Sequence, residues 1–170
     1  MARYLIVPDR STVWIDARSS LHPIHAKVQG VTGSLELEVS GAEALDLSKP
    51  ATGRLELAVR ALSSGNPLYD REMMRRIEAS KHPVIVGELS GIEHDGTDQP
   101  YSVRGVVTFK GVARDYEDTM TIAANEDLLI LEGAHTFDVR DFGLDPPRIM
   151  MLKVHPDVDV RVEIVAKRDS

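Results

Sequence analysis

The chain of 170 residues contains no cysteine. That excludes disulfides, thiolate nucleophiles and cysteine metal ligands, and it leaves the redox compartment open. Aromatic residues make up only 5%, so a greasy interior has to be aliphatic rather than ring-stacked. No run approaches the roughly twenty apolar residues of a membrane-spanning helix. The opening stretch from Met1 to Pro8 has too short an apolar segment for a signal-peptide core. Cytoplasmic placement is therefore the expectation. Positive charge is also in deficit. A net charge of -7 argues against a nucleic-acid partner, because phosphate-binding surfaces are basic. The serines Ser11, Ser19 and Ser20 lack a nucleophile-elbow context, and no glycine-rich loop is built to cradle phosphate.

What is present is alternation. Val13, Ile15 and Ala17 interleave with Trp14, Asp16 and Arg18; Leu35, Leu37 and Val39 interleave with Glu36, Glu38 and Ser40. The same pattern returns in Leu55, Leu57, Val59 and Ala61, and again in Val158, Val160, Val162 and Ile164. Period two means strands with one apolar and one wet face. The length suits a single domain over 1–170 with a sizeable core.

Strands are expected over 3–7, 11–18, 26–40, 53–62, 84–93, 101–110, 112–124, 128–138, 148–154 and 157–166. The period changes once. Asn66 followed by Pro67 reads as an N-cap and first helical residue, and Tyr69, Met73 and Ile77 follow at helical spacing. One amphipathic helix over 67–79 results, with Pro83 beyond its end. Turns are expected at Pro8–Asp9, Asp95–Gly96, Lys110–Gly111 and 125–127, and the two prolines at 146–147 must leave the sheet. The fold class is all-β with one helix: an up-and-down antiparallel β-barrel of about eight strands, the helix inserted between the fourth and fifth.

Strand parity turns Leu55, Leu57, Val59, Val103, Val107, Phe109, Met120, Ile122, Leu129, Leu131 and Phe137 inward. They either fill the barrel or line a cavity, since a barrel of this size can do both. Met73, Met74 and Ile77 either cover one end of a tunnel or seal the barrel. His135 falls on an otherwise apolar face, as a satisfied core histidine or as a contact to a ligand head group. His22 and His25 are three apart, but Pro23 between them opposes the helix that metal binding at that spacing needs. Trp14 belongs to the outer face. Asp138, Asp141 and Asp145 read as turn-capping carboxylates.

Several segments together resemble the YceI-like, polyisoprenoid-binding family of lipocalin-like barrels. They are Pro8-Asp9-Arg10-Ser11-Thr12-Val13, Gly65-Asn66 with Asp70, Lys81-His82-Pro83, Val107-Thr108-Phe109-Lys110-Gly111-Val112, and Asp141-Phe142-Gly143-Leu144. Departures include Val139 where that family often has arginine, and Arg76 and Ile77 where paired phenylalanines are common. The resemblance implies a non-enzymatic barrel that holds a long isoprenoid or similar fatty ligand, with Phe142 joining the lining residues. It implies no cofactor and no metal, and it leans toward a homodimer and transient membrane contact. Two other readings stay open: a cavity-based enzyme or a haem or metal protein using His135, and a filled-barrel stress or interaction module.

Overall fold

The computed structural model describes residues 2–41, 43–94, 100–125, 127–146, 148–149 and 152–169. The alternating segments become β1 (Ala2–Ile6), β2 (Thr12–Ser19), β3 (Ile24–Gln29), β4 (Thr32–Leu37), β5 (Thr52–Ala58), β6 (Val84–His94), β7 (Tyr101–Phe109), β8 (Val112–Ala124), β9 (Leu128–Asp138), β10 (Arg148–Ile149) and β11 (Leu152–Arg168). The helix α1 spans Pro67–Ile77. Strands β1, β4, β5, β6, β7, β8, β9 and β11 are neighbours in that order, and a β1–β11 pairing closes the ring. The result is a closed antiparallel barrel of eight strands with one helix. Strands β2 and β3 extend it beyond β11.

The first two strands are not a hairpin. Both run along β11: Tyr4 and Ile6 pair with Arg168 and Ala166, and Thr12 and Val13 pair with Glu163 and Val162. A short 3-10 turn at Pro8–Arg10 interrupts what is otherwise one long strand. At the break the fully buried Ser11 replaces the missing ladder bonds. Its hydroxyl donates to the Val165 carbonyl oxygen at 3.3 Å and accepts from the Val165 N–H at 3.1 Å.

The single strand expected over 26–40 is likewise two strands. β3 pairs with β2, and β4 pairs with β1. Gly30 at φ +93° and Gly33 at φ +138° carry the break. Gly33 also has no room for a side chain, since a Cβ there would lie 2.0 Å from the Arg54 carbonyl oxygen. This extra strand places the helix after the fifth strand rather than the fourth. β5 also stops at Ala58, earlier than expected, because Val59–Ala61 turns in a 3-10 conformation.

Other local signals act as their chemistry requires. Asn66 caps α1, its side-chain oxygen accepting from Leu68 N–H at 3.0 Å and Tyr69 N–H at 3.4 Å. Lys110 and Gly111 both take positive φ, 54° and 74°, the geometry that a two-residue hairpin turn needs. The expected Asp95–Gly96 turn lies outside the described residues, as do Glu126, Pro147, Met150 and Met151 of other expected segments. Among the described residues, no helix is long and apolar enough to cross a membrane.

Packing divides the barrel into two ends. Tyr4, Leu37, Tyr101, Ile122 and Leu129 are fully buried in the main core, where β6 ends and β7 begins. At the other end a smaller cluster of Val59, Ile77, Ala79 and Leu144 packs beneath α1. There His22, between β2 and β3, stacks on Tyr69 of α1 with ring centroids 6.2 Å apart.

Candidate functional site

Between the two packed ends the barrel is hollow. The void has a volume of about 490 Å³ and an almost wholly apolar wall. Inward side chains such as Leu55, Val103, Val107 and Met120 are only partly buried, because they face this space rather than one another. Its size falls within the roughly 300–1,000 Å³ typical of small-molecule sites. A filled interior therefore does not describe this half of the barrel.

Of the residues singled out by parity, Leu55, Leu57, Val103, Val107, Phe109, Met120, Ile122, Leu131, His135 and Phe137 border the void. Met73, Met74 and Ile77 border it from the helix, and Phe142 from the 3-10 turn at Val139–Phe142. Two of the expected lining residues sit elsewhere. Val59 is on the 3-10 turn after β5, packed with Ile77 and Leu144, and Leu129 is sealed into the main core. Strand parity places a side chain on the inner face but does not say whether that part of the inner face is solid.

The wall has one aromatic patch. All three phenylalanines of the chain meet there. Phe109 meets Phe142 edge-on at 5.6 Å, and Phe137 lies 6.5 Å from Phe142. Tyr116 packs edge-on against Phe137 at 4.8 Å and against His135 at 5.2 Å. So rings do occupy part of the interior, contrary to the aliphatic expectation from composition.

His135 is tied to a carboxylate. Its Nδ1 lies 2.7 Å from Asp118 Oδ2. The two strands that carry this pair are laddered only from Met120–Gly133 to Ala124–Leu129. His135 and Asp118 therefore face each other just where the β8–β9 ladder ends. Burial works against the charge on Asp118, but hydrogen bonds from His135 and the Thr119 N–H, with the charge of His135, outweigh it and hold the carboxyl below its ordinary value. Burial, with the charge of Asp141, pushes the Tyr116 phenol up, and Arg114 only partly offsets this. Tyr116 thus stays protonated, and its buried hydroxyl has no hydrogen-bond partner among the described residues.

Neither Asp118 nor Tyr116 was singled out by the sequence. The signal existed: Tyr116, Asp118, Met120 and Ile122 continue one period-two face, and the polar residues conceal its first half.

Asp70, Arg54 and Arg104, also on the wall, have protein partners. Asp70 accepts from Ser64 N–H at 2.9 Å and from the hydroxyls of Ser64 and Ser63 at 2.7 and 3.2 Å. Arg54 pairs with Glu56 and Glu88, and Arg104 with Glu93. His22 and His25 do not converge: His22 Nδ1 faces the Pro23 carbonyl, and His25 Nδ1 faces Asp16. Asp138 caps the 3-10 turn through Arg140 N–H at 2.9 Å and pairs with the Arg140 guanidinium at 2.7 Å. Trp14 is on the outer face, beneath the Arg161 guanidinium at 3.9 Å.

Comparison with solved structures finds the same fold. BcnA of Burkholderia cenocepacia matches with a TM-score of 0.76 at 17% identity, over 94% of this chain and 98% of that one. A polyisoprenoid-binding domain from Saccharophagus degradans, implicated in plant cell wall breakdown, matches with a TM-score of 0.76 at 11% identity, over 99% and 100%. The Campylobacter jejuni YceI protein matches with a TM-score of 0.65 at 12% identity, over 85% of each chain. No curated protein matches by sequence. The model of the YceI-like domain matches residues 4–166. Taken with the barrel, its inserted helix and its hollow half, that match over nearly the whole sequence shows that the chain belongs to the YceI-like domain family.

Proposed function

We propose that this protein binds a long-chain isoprenoid or a similar amphiphile in the barrel, without catalysis. The observation that carries the reading is the hollow, apolar half of the barrel, about 490 Å³ in volume. Each methylene moved from water into such a space is worth about 0.8 kcal/mol, so a hydrocarbon chain needs little else to bind. The polyisoprenoid-binding relative from Saccharophagus degradans supports the same ligand class. The tail lies against Leu55, Leu57, Val103, Val107, Met120, Ile122 and Leu131, and Met73, Met74 and Ile77 close over it. Phe109, Phe137, Phe142 and His135 meet the other part of the ligand.

A carrier must also receive its cargo. Leu21 and Leu68 are 68% and 59% exposed; Leu21 lies beside His22, and Leu68 beside Tyr69 to which His22 stacks. This exposed pair supports transient contact with a membrane at the helix end. Cytoplasmic placement and a homodimer complete the reading.

Native mass spectrometry after gentle purification tests it. The expected result is a hydrophobic adduct that organic extraction removes. A protein that stays empty, and that takes up no geranylgeraniol or phytane when these are added, sinks the reading.

A further inference from the structure

An amphiphile has two ends, and the lumen suits only one of them. Its wall is almost wholly apolar, and Asp70, Arg54 and Arg104 on that wall already have protein partners. A charged head left there would lose its water with nothing in return. The head therefore belongs beside the lumen, where a cation or a hydroxyl is still open.

A second cavity supplies both. It has a volume of about 280 Å³ and lies where the C-terminal end of α1 meets the 3-10 turn Val59–Ala61. Arg60, Arg75, Glu78, Ser80 and Lys81 line it. Met74 borders this cavity and the lumen alike, and is the wall they share.

Arg60 Nη2 donates to Ser80 Oγ at 3.3 Å, which brings the guanidinium and the hydroxyl together in the pocket. Among the described residues Arg60 has no carboxylate partner. Arg75 and Arg76 share one carboxylate, Glu72, and Lys81 Nζ lies 4.0 Å from Glu78 Oε1. Four cations thus meet two carboxylates, which leaves an excess of positive charge in a chain whose net charge is -7. The carbonyls of Met74 and Arg75, where the helix ends, accept from the N–H groups of Ala79 and Glu78 at 3.0 and 3.2 Å, so they do not meet an anion bare.

A phosphate ester carries about 1.5 to 2 negative charges near pH 7 and three strong acceptor oxygens, and a guanidinium fork matches those oxygens. Resting on the lumen reading above, we infer that the ligand is a phosphorylated amphiphile. Its tail lies in the lumen, and its phosphate sits in the second pocket on Arg60, Arg75 and the Ser80 hydroxyl. Met74, unbranched and able to repack around varied neighbours, lies against the chain where it passes from one cavity to the other.

The test uses geranylgeranyl phosphate, geranylgeraniol, the hydrocarbon phytane, and glycerol phosphate, which has the head and no tail. The three lipids displace the fluorescent probe N-phenylnaphthylamine from the wild-type protein and from Arg60→Gln, at about pH 8, where a phosphate ester is fully ionised. Glycerol phosphate is titrated calorimetrically. Geranylgeranyl phosphate is expected to bind about tenfold tighter than geranylgeraniol or better, and glycerol phosphate far more weakly than either. Arg60→Gln should weaken the phosphate ester about tenfold or more, the scale of one lost charge-assisted hydrogen bond, and leave phytane unchanged. Unchanged phytane binding also shows that the variant is folded.

Alcohol binding equal to or tighter than phosphate-ester binding overturns the inference while leaving the lumen reading intact. The same holds if Arg60→Gln shifts phosphate ester and hydrocarbon alike or shifts neither. Glycerol phosphate that binds as tightly as the prenyl ester makes the pocket a site for free phosphate, and also overturns it. Failure of all three lipids to displace the probe overturns the lumen reading, and the inference falls with it.

Discussion

His135 Nδ1 and Asp118 Oδ2 meet at 2.7 Å at the point where the ladder between β8 and β9 stops. From there toward the helix end a side-chain bond takes over from backbone bonds. Because the folded state lowers the carboxyl of Asp118, its contribution to stability is complete above the unfolded value near pH 4 and is lost as pH falls through the lower folded value. The Asp118 side chain is 46% exposed, so screening by water keeps that contribution below about 1 kcal/mol. Urea unfolding of wild type and Asp118→Asn should differ at neutral pH, and the gap should close on acidification well below about pH 4. A gap that widens with acid contradicts this assignment.

Filling the void should separate binding from stability. Leu55 lies on the wall, over the bare backbone of Gly87. In Leu55→Trp the indole takes space from two or more ligand methylenes, each worth about 0.8 kcal/mol. Geranylgeraniol should then bind roughly tenfold more weakly or worse, while the Tm holds or rises because a cavity has been filled. Probe displacement and a thermal melt are sufficient. Unaltered affinity in a folded variant would place the ligand elsewhere.

The N-cap of α1 has a measurable share in stability. Asn66→Ala removes the acceptor for the Leu68 and Tyr69 N–H groups, a loss of about 1 kcal/mol. Asn66→Asp should recover most of it, since aspartate caps equally well. Denaturant midpoints of the three proteins give the comparison, and an unshifted alanine variant would show that the cap contributes nothing.

Ser11→Ala should cost more. The hydroxyl serves both Val165 backbone groups inside the core, and a methyl group serves neither. The Val165 carbonyl keeps the Val7 N–H at 2.8 Å, but stranding the buried Val165 N–H costs about 1–3 kcal/mol. Ser11→Thr, which keeps the hydroxyl, is the control for the lost polar bonds. A Ser11→Ala protein as stable as wild type would mean that water or a shifted backbone restores them.

The alternation in 53–57, 101–109 and 157–166 was enough to read a barrel, because each strand announces its own wet and dry faces. The cap at Asn66 and the turn at Lys110–Gly111 were legible for the same reason: they are local. The breaks were not. Whether 26–40 is one strand or two depends on β1 and β2 running end to end along β11, and no window of sequence contains that pairing. The void was hidden more deeply. Leu129 and Leu131 are neighbours on one face with the same chemistry, yet only Leu131 reaches the lumen. Tyr116 and Asp118 were overlooked because a polar residue on an inner face looks, in sequence, like the end of the pattern.

The place of β11 in this barrel has a consequence for time as well as shape. β1, β2 and β9 all find a neighbour in it, and Ser11 is separated by 154 positions from the residue it bonds. Strands β1 and β2 gain β4 and β3 early, but each must wait with its other edge bare until β11 has been synthesised. Contacts of such long range make folding slow, and an uncovered strand edge invites the wrong neighbour meanwhile. Shortening β11 should accordingly harm the yield of folded protein out of proportion to the contacts removed, because it withdraws the piece that ends the wait.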